Sequence, residues 1–378
     1  MTRKKLMLAC LGSPFTESML YKENYIIQAF AEKGYEILVL AENRKYVGEK
    51  ICYTDTGMVN ISEHVCVRRI KYDSVGIAYI TYKIRKYKIF ENVVDDFKPD
   101  ILIFNLIQTH VIQQLRSICN KQPNVRVYGY SSTAFVNSAR NIFSRKILHG
   151  EVYRRWIKLS IDYFDKIYCS GQDVELFLKE VYDLPDKKLD LLPLPSRIVS
   201  YRERIENGNR VKDAYNIAEG KIVFCHSGKF DSLKKTIEIM EAFSENEILD
   251  AELILAGEFN ELIRNDALSI IENDERINYV GFVNGDRLEE ILCCTDVYVQ
   301  IGSPSQTMQT AMGCGCAVIA SEMYRDLLGD SVWYANSKEE LKQLLLTINP
   351  EGVLEMSKKS VQKAKELFDY KRLPDKFQ

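Results

Sequence analysis

The sequence predicts an α/β protein made of two doubly wound domains facing a cleft. Three observations lead there. Short apolar runs of three to seven residues recur throughout the 378 residues. Segments of helical period separate most of these runs. A proline-marked break near residues 194–210 divides the series in two. Runs this apolar, each followed by a helix, indicate parallel strands covered on both faces.

In the first half the candidate strands are residues 5–11, 35–40, 65–70, 100–105, 125–130, 166–169 and 189–192. Residues 16–33 read as a helix. Thr16 is a candidate N-cap, Leu20, Ile27 and Ala31 mark one face, and Gly34 suits a left-handed C′ position. Pro193 and Pro195 then break the pattern, and a polar stretch, 201–210, follows. The second half repeats the alternation. Its candidate strands are 222–226, 252–256, 279–281, 297–301, 317–320 and 332–334. Its helical patterns are 232–243, 261–272, 287–293, 304–314, 338–345 and 351–367. The expected domains are Rossmann-like, spanning 1–195 and 196–350.

Composition bounds the function. The chain is 46% hydrophobic and 28% charged, enough for packed cores. No run approaches the ~18 apolar residues of a membrane-spanning helix. A net charge of -2 argues against a dedicated nucleic-acid-binding protein. That total hides an asymmetry. Residues 1–200 hold 30 Lys+Arg and 22 Asp+Glu, whereas 201–378 hold 21 and 31. The surplus of the first half equals the net charge between Arg116 and Lys158, where nine basic residues accompany only Glu151. Phe143, Tyr153 and Trp156 are interleaved there. Such a patch suits an anionic membrane surface or phosphates, and equally a solvated helix face. A second basic cluster, Lys83, Arg85, Lys86 and Lys88, adjoins Tyr82 and Tyr87. The ten cysteines show no zinc spacing and read as free thiols in a reducing cytosol. The four histidines form no metal motif, so no metal is expected. Arg3, Lys4 and Lys5 precede an apolar run that falls short of the ~7–15 residues of a signal h-region. A first buried strand is the better reading, and a cytoplasmic protein is expected.

Ligands of doubly wound sheets bind beyond the carboxyl ends of the strands. Five segments lie there. Gly228, Lys229 and Lys234 follow a strand and precede a helix, an arrangement that suits a phosphate or diphosphate. An ordinary turn with exposed lysines fits the same residues. No G-x-G-x-x-G follows a strand, which weakens an NAD reading. In the second segment, Gly302 follows a strand, Ser303 is a candidate N-cap, Pro304 suits a first turn, and Gln306 completes a capping-box spacing. The amides of that turn, at Ser305 to Thr307, form an anion site, with Thr310 one turn further on the same face. A capped structural helix fits as well. Gly12 and Ser13 together with Asn105 to His110, and then Ser131 and Ser132, follow strands in the first half and are surface loops or cleft residues.

The two second-half segments, in this order, resemble the retaining glycosyltransferases of family 4, which have the GT-B fold. The resemblance rests on Gly228, Lys229 and Lys234, on a strand ending in Ala256-Gly257-Glu258, and on the strand from Tyr279 to Val283. It also rests on Thr295-Asp296-Val297 and on the stretch from Thr310 to Ser321. Lys22-Glu23-Asn24, the strand ending at Ile70, and Lys98-Pro99-Asp100 look like bacterial members that build surface polysaccharides. The resemblance implies a nucleotide-diphospho-sugar donor in the second domain and a glycan or lipid-linked acceptor on the first. It implies Lys229 and Lys234 as the catalytic cations that neutralise the leaving diphosphate. Gly228, Gly257, Glu258, Gly302, Ser303, Ser305, Gln306, Thr307 and Thr310 become the donor-binding residues. Gly12, Ser13, Ser131, Ser132 and Asn137 become acceptor-side residues. No cofactor is implied. Residues 351–378 are expected to pack back on the first domain as in relatives.

The resemblance has departures. Two family glutamates align with Gly302 and Thr310, and a His and an Asp near residues 130–138 align with Ser132 and Ala134. The leading expectation is an active hexosyltransferase-like enzyme, cytoplasmic and peripheral on the inner face of the membrane. The alternatives are a catalytically weak or inactive subunit or chaperone of an active partner, and a nucleotide-sugar epimerase of the same fold. Oligomeric state stays open.

Overall fold

The computed structural model describes residues 3–47, 50–139, 141–246, 250–303 and 305–377. The chain forms two compact units. The first comprises Met1–Glu17, Glu23–Pro193 and Lys371–Gln378, and the second comprises Ser18–Lys22 and Leu194–Tyr370. The fold is α/β, and each unit is built on its own parallel-rich sheet.

The first unit contains β1 (Lys5–Cys10), β2 (Glu36–Glu42), β3 (Arg44–Val47), β4 (Lys50–Tyr53) and β5 (Gly57–Ser62). It continues with β6 (Val65–Ile70), β7 (Ile101–Phe104), β8 (Arg126–Ser131), β9 (Lys166–Cys169) and β10 (Leu189–Leu191). Eight strands form one sheet, ordered β10-β9-β8-β7-β1-β2-β6-β5. All pair in parallel except β5, which runs antiparallel to β6. β3 and β4 form a separate antiparallel hairpin. The central strands are apolar because helices cover both faces: every residue of β7 is buried, as are five of six in β1.

Three strands, β3, β4 and β5, lie outside the runs read from sequence. All of β5 is exposed, so no buried face imprints a pattern on it. The helix expected over 16–33 begins only at Lys22, as Lys22–Glu32. Thr16 is not its cap. The Thr16 hydroxyl accepts from the Tyr46 amide at 2.8 Å, and its carbonyl accepts from the Asn24 side chain. Gly34 does follow the helix with φ +82°.

The second unit contains β11 (Ile222–Phe230), β12 (Ala251–Phe259), β13 (Ile277–Gly281), β14 (Val297–Gln300), β15 (Ala317–Ala320) and β16 (Trp333–Tyr334). They form one parallel sheet in the order β13-β12-β11-β14-β15-β16. The chain enters and leaves this unit side by side. The Ser196 amide donates to the Phe368 carbonyl at 2.7 Å, and the Tyr370 amide donates to the Ser196 carbonyl at 3.0 Å. All ten cysteines are free thiols, seven of them buried. No described helix is long and apolar enough to cross a membrane.

The last residues complete the first unit's core. Phe377 is fully buried, with Phe30, Tyr128 and Tyr168 around it at ring distances of 6.1, 5.2 and 5.0 Å. The Tyr168 hydroxyl donates to the Lys376 carbonyl beside it. Phe377→Ala is expected to cost about 3–5 kcal/mol of stability. Denaturant unfolding followed by tyrosine fluorescence checks this, and a loss below about 1 kcal/mol would refute the packing role.

Candidate active site

In the second sheet β11 lies between β12 and β14, and the strand order reverses there. The loops leaving β11 and β14 therefore flank the crevice in which sheets of this type bind ligands. They carry the two second-half segments singled out in the sequence.

β11 runs further than its apolar stretch. It pairs with β12 out to Phe230 and Phe259, placing Gly228 opposite Gly257 and Lys229 opposite Glu258. Gly228 and Lys229 thus sit on a strand, not in the turn that the sequence suggested. Phe230 explains the extension. It is fully buried, stacked 5.1 Å from His226 and packed 5.1 Å from Phe259. Gly257 is required by close approach: a Cβ there would lie 1.8 Å from the Gly228 carbonyl oxygen. Lys229 and Glu258 are exposed.

Lys234 takes the opposite course. It ends a short 3-10 turn, Ser232–Lys234, capped by the Asp231 side chain, which accepts from the Lys234 amide at 3.0 Å. Its own side chain is buried. It runs across Gly228, where a Cβ would lie 3.7 Å from Lys234 Cε, and its ammonium donates to the Ser303 carbonyl at 3.0 Å. Burial pushes its pKa down to about 8 against the opposing charge of Asp231. Beneath it His226 is structural. It bridges the Val299 carbonyl and the Thr236 hydroxyl, and burial holds it near 4 and neutral.

The β14 loop closes on the same turn. The Ser303 amide donates to the Leu233 carbonyl at 2.7 Å, and the following helix starts too late for Ser303 to cap it. That helix is Thr307–Cys314, and Pro304 lies outside the described residues. Gln306 is the N-cap residue and makes no side-chain capping bond, while the Ser305 hydroxyl before it accepts from the Thr307 amide at 3.2 Å and donates to the Thr307 hydroxyl. Gln306 makes no capping box. Its amide reaches instead to the Pro195 carbonyl at 3.0 Å. Thr310 is fully buried, and its hydroxyl donates to the Gln306 carbonyl one turn back. The structure therefore gathers Gly228, Gly257, Lys234, Gly302 and Ser303 at one crevice. Three further polar residues, none of them named as a donor-binding residue from the sequence, lie beside it. The Ser227 and Tyr298 hydroxyls pair beneath the loop at 3.2 Å, and Gln300 is buried with its amide oxygen unpaired. Gln300 was legible only as a polar residue ending an apolar strand.

In the first unit, Gly12 and Ser13 follow β1, and Gly12 sits against Leu106 and the Arg85 guanidinium. Ser131 is buried, its hydroxyl accepting from the Thr133 amide. Asn137 ties the same loop together. It donates to the Ser132 carbonyl at 2.8 Å and accepts from the Ala134 amide at 3.0 Å. Four of the nine basic residues between Arg116 and Lys158 meet acids from other elements. Lys121 pairs with Glu91 and Asp95, Arg126 with Asp165, and Arg154 and Lys158 with Asp183.

Solved structures share this architecture. Sucrose-phosphate synthase from Thermosynechococcus elongatus matches with a TM-score of 0.71 at 14% identity, covering 99% of this chain and 97% of that one. Anabaena HepE in complex with UDP and glucose matches at 0.65 and 13%, covering 99% and 98%. WaaG, a glycosyltransferase involved in lipopolysaccharide biosynthesis, matches at 0.65 and 14%, covering 98% of each chain. The chain has the GT-B fold. No protein-family profile and no curated protein matches it. Within this GT-B chain the two positions aligned with family glutamates are closed. Thr310 is enclosed by its helix, and Gly302 lies on the backbone of the preceding loop. A Cβ at Gly302 would meet the Leu233 and Lys234 carbonyl oxygens at 2.4 and 2.6 Å.

Gly302→Ala is accordingly expected to destabilise the second unit by about 1–3 kcal/mol. A melting temperature equal to the parent's would contradict this contact. Lys234 sets a pH signature. Below about pH 8 folded and unfolded chains both hold its proton, so the burial penalty is constant. Between about 8 and the ordinary value of 10.5 the unfolded chain holds one proton more, and stability rises with pH. Lys234→Met should therefore be the more stable protein at pH 7, with the advantage shrinking by pH 10. Denaturant midpoints at the two pH values test it, and a constant difference would exclude a depressed Lys234.

Proposed function

We propose that this chain is a glycosyltransferase moving a sugar from a nucleotide-diphospho-sugar to a glycan or lipid-linked acceptor, with retention, in surface-polysaccharide synthesis. The observation that carries the reading is the buried ammonium of Lys234 at the reversal point of the second sheet. A buried cation at the carboxyl edge of such a sheet is placed where an anionic ligand would add to the interactions it already makes. Glycosyl transfer leaves a diphosphate, and charge building on that leaving group is what a fixed cation stabilises. Lys234 acts at close quarters. Lys229 adds an exposed charge near the end of β11, and the Thr307 end of its helix adds partial positive charge. HepE was solved with UDP and glucose, and a trehalose-6-phosphate protein of E. coli with UDP-2-fluoro glucose. These support a uridine nucleotide as the first donor to try. The surface-polysaccharide role and retention come from the family-4 resemblance. Attachment to an anionic membrane face is supported by exposed Ile142, Phe143 and Ile147 beside Arg145 and Lys146.

A second reading, a donor-binding subunit with little activity of its own, is favoured by Gly302 and Thr310. Neither offers a carboxylate, and neither has room for one. The two readings part in one experiment. A panel of UDP, GDP, ADP and CMP, with the corresponding sugar donors, is screened by thermal shift and then by nucleotide release. A nucleotide at 100 times its Kd should stabilise the fold by about 2.7 kcal/mol. Turnover should fall at least ~10-fold in Lys234→Ala and in Lys229→Ala, the cost of a charge-assisted bond. Stabilisation without turnover selects the subunit reading. No stabilisation by any nucleotide removes both.

A further inference from the structure

The first unit holds a constellation that donor chemistry does not use. Its sheet reverses at β1, which lies between β7 and β2. Beyond the carboxyl ends of β7 and β8 is a pocket of about 330 Å³. Lys83 and Arg85 are its cations, while Gln108, Asn137, Ser144 and His149 contribute polar groups, and no carboxylate lines it.

Two of these residues carry buried polar atoms without a partner, although Arg85 itself is half-buried and its Nη1 donates to the Gln108 carbonyl at 3.3 Å. Gln108 is 4% exposed, yet neither its amide oxygen nor its amide nitrogen makes a well-formed hydrogen bond, although it stands beside the Tyr182 hydroxyl. The Arg85 Nε is likewise buried and unbonded. Buried amides and guanidinium nitrogens are satisfied in almost all folded proteins, so such a pair in one pocket calls for a missing ligand. The basic segment is also held in place before any ligand arrives. Arg85 adopts φ +52°, and its carbonyl accepts from the Thr109 hydroxyl at 3.2 Å. The Lys83 carbonyl accepts from the Tyr153 hydroxyl at 2.7 Å. The Tyr82 ring lies under both cations, 5.1 Å from Lys83 and 5.5 Å from Arg85. The nearby acid, Glu42, is occupied, its two oxygens taking the Arg44 guanidinium at 2.6 and 2.8 Å. His149, on the π-helix Ser144–Tyr153, is held neutral, near 4, by burial and then by the charges of Lys83 and Arg85. It therefore adds a polar ring and no third charge. Two fixed cations with neutral donors around them match a dianion. The volume leaves room for whatever the dianion is attached to.

We infer that this pocket binds a phosphate ester group of the acceptor, with Arg85 and Lys83 balancing its charge and the Gln108 amide donating to an oxygen. The word acceptor rests on the proposed glycosyltransferase reading. The anion site does not.

Calorimetric titration of the full chain at constant ionic strength tests it. The probes are inorganic phosphate, glucose 6-phosphate, glucose as the neutral control, and phosphatidic acid against phosphatidylcholine vesicles. At least one phosphate probe should bind saturably and glucose should not. Stronger binding of glucose 6-phosphate identifies a sugar phosphate as the source. Binding confined to phosphatidic acid vesicles identifies a lipid phosphate. The affinity should drop at least ~10-fold in Arg85→Ala and in Gln108→Leu, and should survive Lys234→Ala. Gln108→Leu separates binding from folding. It removes a buried unpaired amide, so its melting temperature should rise as its phosphate affinity falls. No binding by any probe would overturn the inference. So would binding lost in Lys234→Ala but kept in Arg85→Ala, which belongs to the second unit. UDP binding measured in the same variants keeps the two readings apart. Phosphate without UDP leaves the pocket standing and removes the donor reading, and the reverse removes only the pocket.

Discussion

One buried ammonium organises the carboxyl edge of the second sheet. Lys234 crosses β11 at Gly228, whose φ of +129° favours glycine. To end Lys234 on the Ser303 carbonyl, the β14 loop must lie against the Leu233–Lys234 backbone, which only Gly302 permits. The Ser303 amide then closes the contact by donating to Leu233. These features are one device seen from several residues. Desolvating the ammonium is costly, and the hydrogen bond to a carbonyl offsets part of that cost. The remainder is the reserve of interaction that an incoming anion can use.

The first unit uses its charges in two ways. Where Lys121, Arg126, Arg154 and Lys158 lie on the surface, acids from other elements meet them. Exposed pairs of this kind add little stability, but they cancel the field that the local sequence suggests. Where Arg85 and Lys83 lie at the strand ends, the neighbouring acid is already taken by Arg44. Net charge over a stretch of sequence is therefore a poor guide to where the potential is strong. The partners that cancel it are distant in the chain.

The strand framework was legible because burial on both faces leaves no room for polar residues. Each apolar run became a strand, including the short β9 and β10. What escaped lacked that imprint. β5 is exposed along its length, and β3 pairs only with β4. Gly228 and Lys229 read as a turn because polar residues end the run, while the strand is carried on by the distant packing of Phe230 on Phe259. The start of helix Thr307–Cys314 was misplaced because the loop after β14 runs on to Gln306, held at Ser303 by a backbone bond to the distant Leu233. Within the site, Lys229 and Lys234 were named as a pair, yet one is exposed and the other enclosed. Nothing local distinguishes them. Gln108 lies in a polar segment that the sequence places after a strand, but its unpaired amide is a property of the fold alone.

The return of Lys371–Gln378 to the first unit has a consequence for synthesis. Ribosomes deliver the first unit's ten strands long before Phe377. Until that residue emerges, Phe30, Tyr128 and Tyr168 face an empty slot. The unit begun first is thus finished last, after the whole of the second has left the tunnel. A nascent chain stalled before residue 377 would leave the slot between Phe30, Tyr128 and Tyr168 unfilled.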